Sequence, residues 1–125
     1  MNIILSNTSE KPLYEQIISQ IKKLILNGTL KDGDSLPSMR FLAKELRISV
    51  ITTKRAYEEL ERAGLIETIT GKGSFISSEK IETIRNEQRH ISKEFLLKSI
   101  QAAKESGMTL DELTTLLHTL YNEKK

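Results

Sequence analysis

Between Ser38 and Tyr57 the chain sets Arg40, Lys44, Arg47, Lys54 and Arg55 against a single acid, Glu45. Cations at this density suit one chemistry above others, the neutralisation and hydrogen bonding of an anionic partner. Ser38, Ser49 and Thr52 are interleaved with them, and short hydroxyls either cap helices or donate to phosphate oxygens. The net charge of +2 hides this cluster. Residues 1–57 carry nine Lys and Arg against five Asp and Glu, whereas residues 58–125 carry ten against twelve.

Catalytic chemistry finds no comparable cluster. The absence of cysteine removes a thiol nucleophile, a disulfide scaffold and a cysteine-ligated zinc site. His90 and His118 stand alone, without a second ligand at metal spacing, and read as surface or interface residues. Glu82, Glu87 and Glu94 read as the wet face of a helix. Gly71-Lys72-Gly73 lacks the further glycines and the strand-to-helix context of a nucleotide-binding loop. No nucleophile, base and orienter converge on one site. The expectation is a protein that is not an enzyme and takes no metal or cofactor.

These residues must be mounted on something. With 125 residues, 38% of them apolar, the chain fits one domain or one small domain with an appendage. No stretch approaches the roughly 20 apolar residues of a membrane span, and the first ten residues lack the basic and apolar blocks of a signal peptide. A cytoplasmic location is expected. Leu13, Ile17, Ile18, Ile21, Leu24 and Ile25 recur at helical spacing behind Pro12, with Gly28 as a stop. Lys31 to Asp34 form a turn, from which Leu30 and Leu36 fold back on the core. Ser38 caps a helix with Met39, Leu42, Ala43 and Leu46 on its apolar face. Ser49 caps another whose buried face is Thr53, Ala56, Tyr57, Leu60 and Ala63, closed by Gly64. Two short helices across so short a turn have the spacing of a helix-turn-helix.

After Gly64 the period changes. Leu65 to Thr70 and Ser74 to Ser77 are rich in β-branched residues, and Gly71-Lys72-Gly73 between them makes a hairpin tip. From Glu79 the pattern is helical again, through Ile81, Ile84, Ile91, Phe95 and Ile100, with the apolar stripe interrupted near Gln88 and a stop at Gly107. Thr109 to Glu112 is a capping box with Met108 and Leu113 placed as its staple, and Leu113, Leu116, Leu117, Leu120 and Tyr121 complete a last helix. The fold class expected is mainly α with a small β-hairpin wing. A winged helix-turn-helix domain over 1–78 precedes a helical tail over 79–125.

On the helical wheel of residues 49–63, Val50, Ile51, Lys54, Arg55 and Glu58 point outward. An outward Ile51 between cations suits contact with a thymine methyl in the major groove, while Lys54 and Arg55 reach base edges or phosphates. Phe95, Ile100, Leu113, Leu117 and Leu120 give the tail more apolar surface than a small wing domain covers, so pairing of two tails by two-fold symmetry is expected. A dimer then offers two recognition helices about one DNA turn apart.

The runs Leu36-Pro37-Ser38-Met39-Arg40-Phe41-Leu42-Ala43, Thr52 to Tyr57, Leu60-Glu61-Arg62-Ala63-Gly64-Leu65-Ile66 and Gly71-Lys72-Gly73-Ser74-Phe75-Ile76 together resemble the winged-helix domain of GntR-family transcription regulators. Pro12, Tyr14, Gln16, Ile17 and Gly33-Asp34 fit the same pattern, so the likeness covers residues 10–78. The short two-helix tail is similar to the YtrA-like branch, which implies a homodimeric repressor without a large effector domain, often governing transporter operons. Carried over by position, the resemblance puts Arg40, Ser49, Thr52 and Lys54 on DNA and Gly71, Lys72 and Gly73 in the minor groove. Two departures stand out: Arg47 occupies a turn position where the family usually has glycine, and Val50-Ile51 is more apolar than usual. The expected DNA-binding set is Ser38, Arg40, Ser49, Val50, Ile51, Thr52, Lys54, Arg55, Gly71, Lys72 and Gly73. The expected function is sequence-specific binding of duplex DNA as a homodimeric repressor on a pseudo-palindromic operator. The alternatives are a winged-helix adaptor for another protein and a nucleotide- or metal-responsive, enzyme-like sensor, whose polar pocket of clustered ionisable groups the sequence does not supply; the sequence names no effector.

Overall fold

The computed structural model describes residues 1–77 and 79–123, so the expected domain boundary at Ser78 lies outside the described residues. The order of elements is α1 (Leu13–Leu26), α2 (Met39–Leu46), α3 (Val50–Arg62), β1 (Ile66–Ile69), β2 (Gly73–Ile76), α4 (Ile81–Glu105) and α5 (Leu110–Glu123). The chain forms two compact units, Met1–Arg85 and Asn86–Lys125. Among the described residues no helix is long and apolar enough to cross a membrane.

The first unit is built on α3. Its Thr53, Ala56, Tyr57 and Leu60 are buried against Ile17, Ile21 and Ile25 of α1 and Leu42 of α2, with Leu65, Ile66 and Ile76 from the hairpin closing the core. Helical spacing set this arrangement, because each helix offers one apolar stripe and only a three-way packing hides all of them. Tyr57 is almost fully buried, and its hydroxyl donates to the Pro37 carbonyl at 2.7 Å. Burial pushes that phenol well above its ordinary value, so it stays a neutral donor that ties the start of α2 to the core.

Two glutamines hold the N-terminal segment to α1. Gln20 Oε1 accepts from the Ile4 amide at 2.9 Å while its Nε2 donates to the Ile4 carbonyl. One turn earlier, Gln16 does the same for Ser6 and also donates to the Lys11 carbonyl at 2.9 Å. The two side-chain amides act as the rungs a neighbouring strand would supply, and Ile3 is drawn into the core.

β1 and β2 pair antiparallel, Ile66 with Ile76 and Ile69 with Gly73. The connection is therefore Thr70-Gly71-Lys72, and Gly73 opens β2 rather than sitting in the tip. Residues 33–36, read from sequence as a turn and its flank, run alongside β2: Gly33 N donates to Ile76 O, Ile76 N to Asp34 O and Leu36 N to Ser74 O. The wing is thus anchored to the segment that leads into α2.

α4 runs without a break through Gln88. Its first turn belongs to the first unit, where Ile81 and Ile84 pack against the core and Arg85 Nη2 donates to the Leu26 carbonyl that ends α1. In the second unit, Gly107 stops α4 in the left-handed region (φ 76°) and Met108 N donates back to Ala103 O.

The capping box at α5 is formed as expected. Thr109 N and Oγ1 donate to Glu112 Oε1 at 3.0 and 3.1 Å, and Glu112 N donates to Thr109 Oγ1 at 3.1 Å. The two donors hold the Glu112 carboxyl below its ordinary value of 4.5. A depressed folded pKa stabilises above the unfolded value and is lost as pH falls through the folded one. An NMR titration should therefore place Glu112 below 4.5, and Thr109→Ala, which removes the hydroxyl donor but keeps the main-chain one, should move it part of the way back; a midpoint at or above 4.5 in the unaltered chain contradicts the box.

Candidate nucleic-acid interface

The serines that punctuate the helix pair do what their spacing requires. Ser38 Oγ accepts from Phe41 N at 3.1 Å, and Ser49 Oγ accepts from Thr52 N at 3.1 Å. Ser49 Oγ and Thr52 Oγ1 lie 2.8 Å apart. One of these hydroxyls donates to the other, which leaves the second hydrogen to turn toward an acceptor outside the protein. Both serines are caps first, so any phosphate contact is added to a structural role.

The turn between the helices is closed by Arg47 in the left-handed conformation (φ 56°, ψ 48°), the one described non-glycine residue with positive φ. Its amide donates to Lys44 O and that of Ile48 to Ala43 O, which ends α2 and swings the chain into α3. A side chain in this region costs about 1–2 kcal/mol. Glycine there returns part of that gain through unfolded-chain entropy, so Arg47→Gly should raise the melting temperature by about 2–4 °C. A thermal melt that is unchanged or lower contradicts the strain.

With the turn fixed, the exposed side chains fall in three places. Arg40 projects from the first turn of α2. Val50, Ile51 and Lys54 are exposed on the first turns of α3, Ile51 at 80% of its surface. Lys72 is exposed in the wing connection, between Gly71 with φ 78° and Gly73 with φ 116°. Neither glycine position has a heavy atom within 4 Å of where a Cβ would stand, so the bare backbone leaves room for close approach to another surface.

Arg55 is placed differently from its neighbours. Its guanidinium lies over the Tyr14 ring, 3.9 Å from the centroid. Stacking of this kind is worth about 0.5–1 kcal/mol at an exposed site, and it turns Arg55 back toward α1. The periodicity that put Arg55 outward could not reveal this, because Tyr14 belongs to another helix. Arg62, near the end of α3, pairs with Glu59 within the helix.

An opening of about 590 Å³ between the N-terminal segment and α2 is lined by Ile3, Leu36, Phe41, Leu42 and Leu46 with Glu45 as its carboxylate. No group of three or more His, Asp or Glu side chains able to hold a metal occurs among the described residues. His90 faces Glu94 at 3.8 Å across one exposed helical turn.

The second unit presents apolar surface instead. No residue of α5 is buried, although Leu110, Leu116, Leu117 and Leu120 are all large and apolar and are 77%, 41%, 49% and 50% exposed. With Leu96, Ile100 and Leu113 they line an apolar groove of about 230 Å³. Phe95 is 66% exposed nearby on α4.

Residues 13–76, from the first helix to the end of the wing, match the family described as bacterial regulatory proteins, gntR family. The chain is also 43% identical over 105 residues to the HTH-type transcriptional repressor YtrA of Bacillus subtilis, an alignment covering 84% of this chain and 81% of that one. The chain belongs to the GntR family. Its winged helix-turn-helix and helical tail are shared with a GntR family transcriptional regulator from Listeria monocytogenes, 31% identical, with a TM-score of 0.70 over 92% of this chain and 98% of that one. A third relative is the DNA-binding domain AraR(DBD), solved in complex with operator ORX1. It is 25% identical, with a TM-score of 0.53 over 59% of this chain and 92% of that one. The family match ends at Ile76, so the apolar groove of the second unit lies outside it.

Proposed function

We propose that this GntR-family chain is a sequence-specific transcriptional repressor that binds a pseudo-palindromic operator in duplex DNA as a homodimer. The observation that carries the reading is the first two turns of α3. They expose Ile51 and Lys54 on a helix whose other face is locked into the core by Thr53, Ala56, Tyr57 and Leu60. Such a helix enters a major groove without rearranging. Arg40, the Ser49–Thr52 hydroxyls and Lys72 supply backbone contacts on either side, and the wing glycines let Lys72 approach the minor groove. Arg55, stacked on Tyr14, serves the flank rather than the base edges.

Dimerisation is carried by Phe95, Ile100, Leu113, Leu117 and Leu120. A helix with five leucines and no buried residue gains stability by laying that face on a second copy. The protein works in the cytoplasm beside the chromosome, performs no catalysis and needs no cofactor for binding. That a relative is solved on its operator favours duplex DNA over the adaptor reading.

The test is retention of genomic duplex fragments against a large excess of non-specific competitor, repeated across salt. Six or more phosphate contacts per dimer predict a roughly 10³-fold fall in affinity between 50 and 200 mM salt. Weak, sequence-blind retention at every salt would instead favour the adaptor.

A further inference from the structure

We propose that Ile51 reads the 5-methyl group of a thymine in each operator half-site. This rests on the duplex-binding reading above and adds the base the half-site must offer. Ile51 is 80% exposed and the preceding Val50 44% exposed, on the turn that the Ser49 cap holds in place. A large aliphatic side chain in open water gains nothing for the folded domain, and the core already has its full set from α3 in Thr53, Ala56, Tyr57 and Leu60.

The surroundings of Ile51 decide what covers it. Lys54 lies one turn further along α3 and is exposed, and Arg40 is exposed on the first turn of α2. Cations on both helices draw an anionic surface onto this end of α3. Glu58, one turn beyond Lys54 and also exposed, is repelled by phosphate, so the N-terminal end goes deepest. Two aliphatic side chains on one helical turn make a patch far smaller than the roughly 800 Å² per partner of a stable protein interface. In a duplex, the apolar group presented on the major-groove floor is the thymine methyl. β-Branching leaves Ile51 few rotamers to lose on contact, which suits a side chain that reads one small group by shape.

The experiment removes that methyl alone. The full-length protein is used to select its preferred duplex from a random pool, and each thymine of the selected half-site is then replaced in turn by deoxyuridine. At one position per half-site, uracil should weaken binding about fourfold, and about fifteenfold when both half-sites are changed, the value of one buried methyl each. Ile51→Ala should bind the thymine and uracil duplexes equally. Its substitution is on an exposed helical surface where alanine favours the helix, so circular dichroism and dimer mass should be unchanged. A selected half-site without thymine, no uracil-sensitive position, or equal sensitivity in Ile51→Ala overturns the assignment of Ile51 while leaving duplex binding intact. Failure to select any duplex overturns both.

Discussion

Leu117→Glu should give a folded monomer that no longer holds its operator. Leu117 lines the apolar groove of the second unit and is 49% exposed in the single chain, so a charge there disturbs no buried neighbour of its own. Glutamate is also a good helix former. Across a two-fold interface, however, two such carboxylates would be buried without partners, at a cost of about 3–5 kcal/mol or more. Sedimentation should report the mass of one chain with unchanged helical content. Operator affinity should fall by on the order of 10²–10³-fold, because two half-sites no longer share one binding event. A variant that stays dimeric at micromolar concentration takes the tail out of the interface. One that is monomeric yet binds as before separates dimerisation from function.

The second large effect belongs to the recognition surface. Lys54→Ala should cost about 1–3 kcal/mol per half-site, felt twice in a symmetric complex. The residue is exposed on α3 and forms no hydrogen bond or ion pair within the protein among the described interactions, so dimer mass and thermal stability should not change. The form of the loss distinguishes its target. A phosphate contact lowers affinity for every duplex and reduces the salt dependence by about one unit per contact, whereas a base contact relaxes preference at one position. Unchanged affinity together with an unchanged salt slope would remove Lys54 from the interface.

The helices were legible in the sequence because each carries a stripe of one period, and α2, α3 and α5 a side-chain cap as well: Ser38, Ser49 and the Thr109–Glu112 box all make the bonds their spacing implied. The turn at Arg47 was marked only by the resemblance, as a position where the family usually has glycine; its left-handed conformation came from the structure. Contacts between distant segments were not legible. The Gln16 and Gln20 rungs that hold residues 4 and 6, the run of 33–36 beside β2, and Arg55 on Tyr14 all depend on which surfaces the fold brings together. Polar side chains with several possible partners carry no periodic signal of their own. The hairpin shifted by one residue, with Gly73 inside β2, because pairing with Ile69 sets its register rather than the glycine spacing. The interruption of the apolar stripe near Gln88 did not break α4, since the helical backbone there is satisfied whether or not the stripe continues, and residues 86–90 are all exposed.

In the set expected to bind DNA, exposure sorts the residues that the pattern had grouped together. Ile51, Lys54, Arg40 and Lys72 stand clear of the protein, Ser38 and Ser49 are engaged as caps, and Arg55 is stacked. The basic cluster of residues 38–57 therefore divides into exposed cations available to a partner and Arg55, which is stacked on the protein itself.

The most direct measurement is the sequence of duplex that the purified protein selects from a random pool. Two inverted half-sites with centres about one helical turn apart, recovered at low salt and lost as salt rises, are the expected result. A pool that never departs from its starting composition, or a motif without two-fold symmetry, would contradict a paired winged helix-turn-helix reading the major groove.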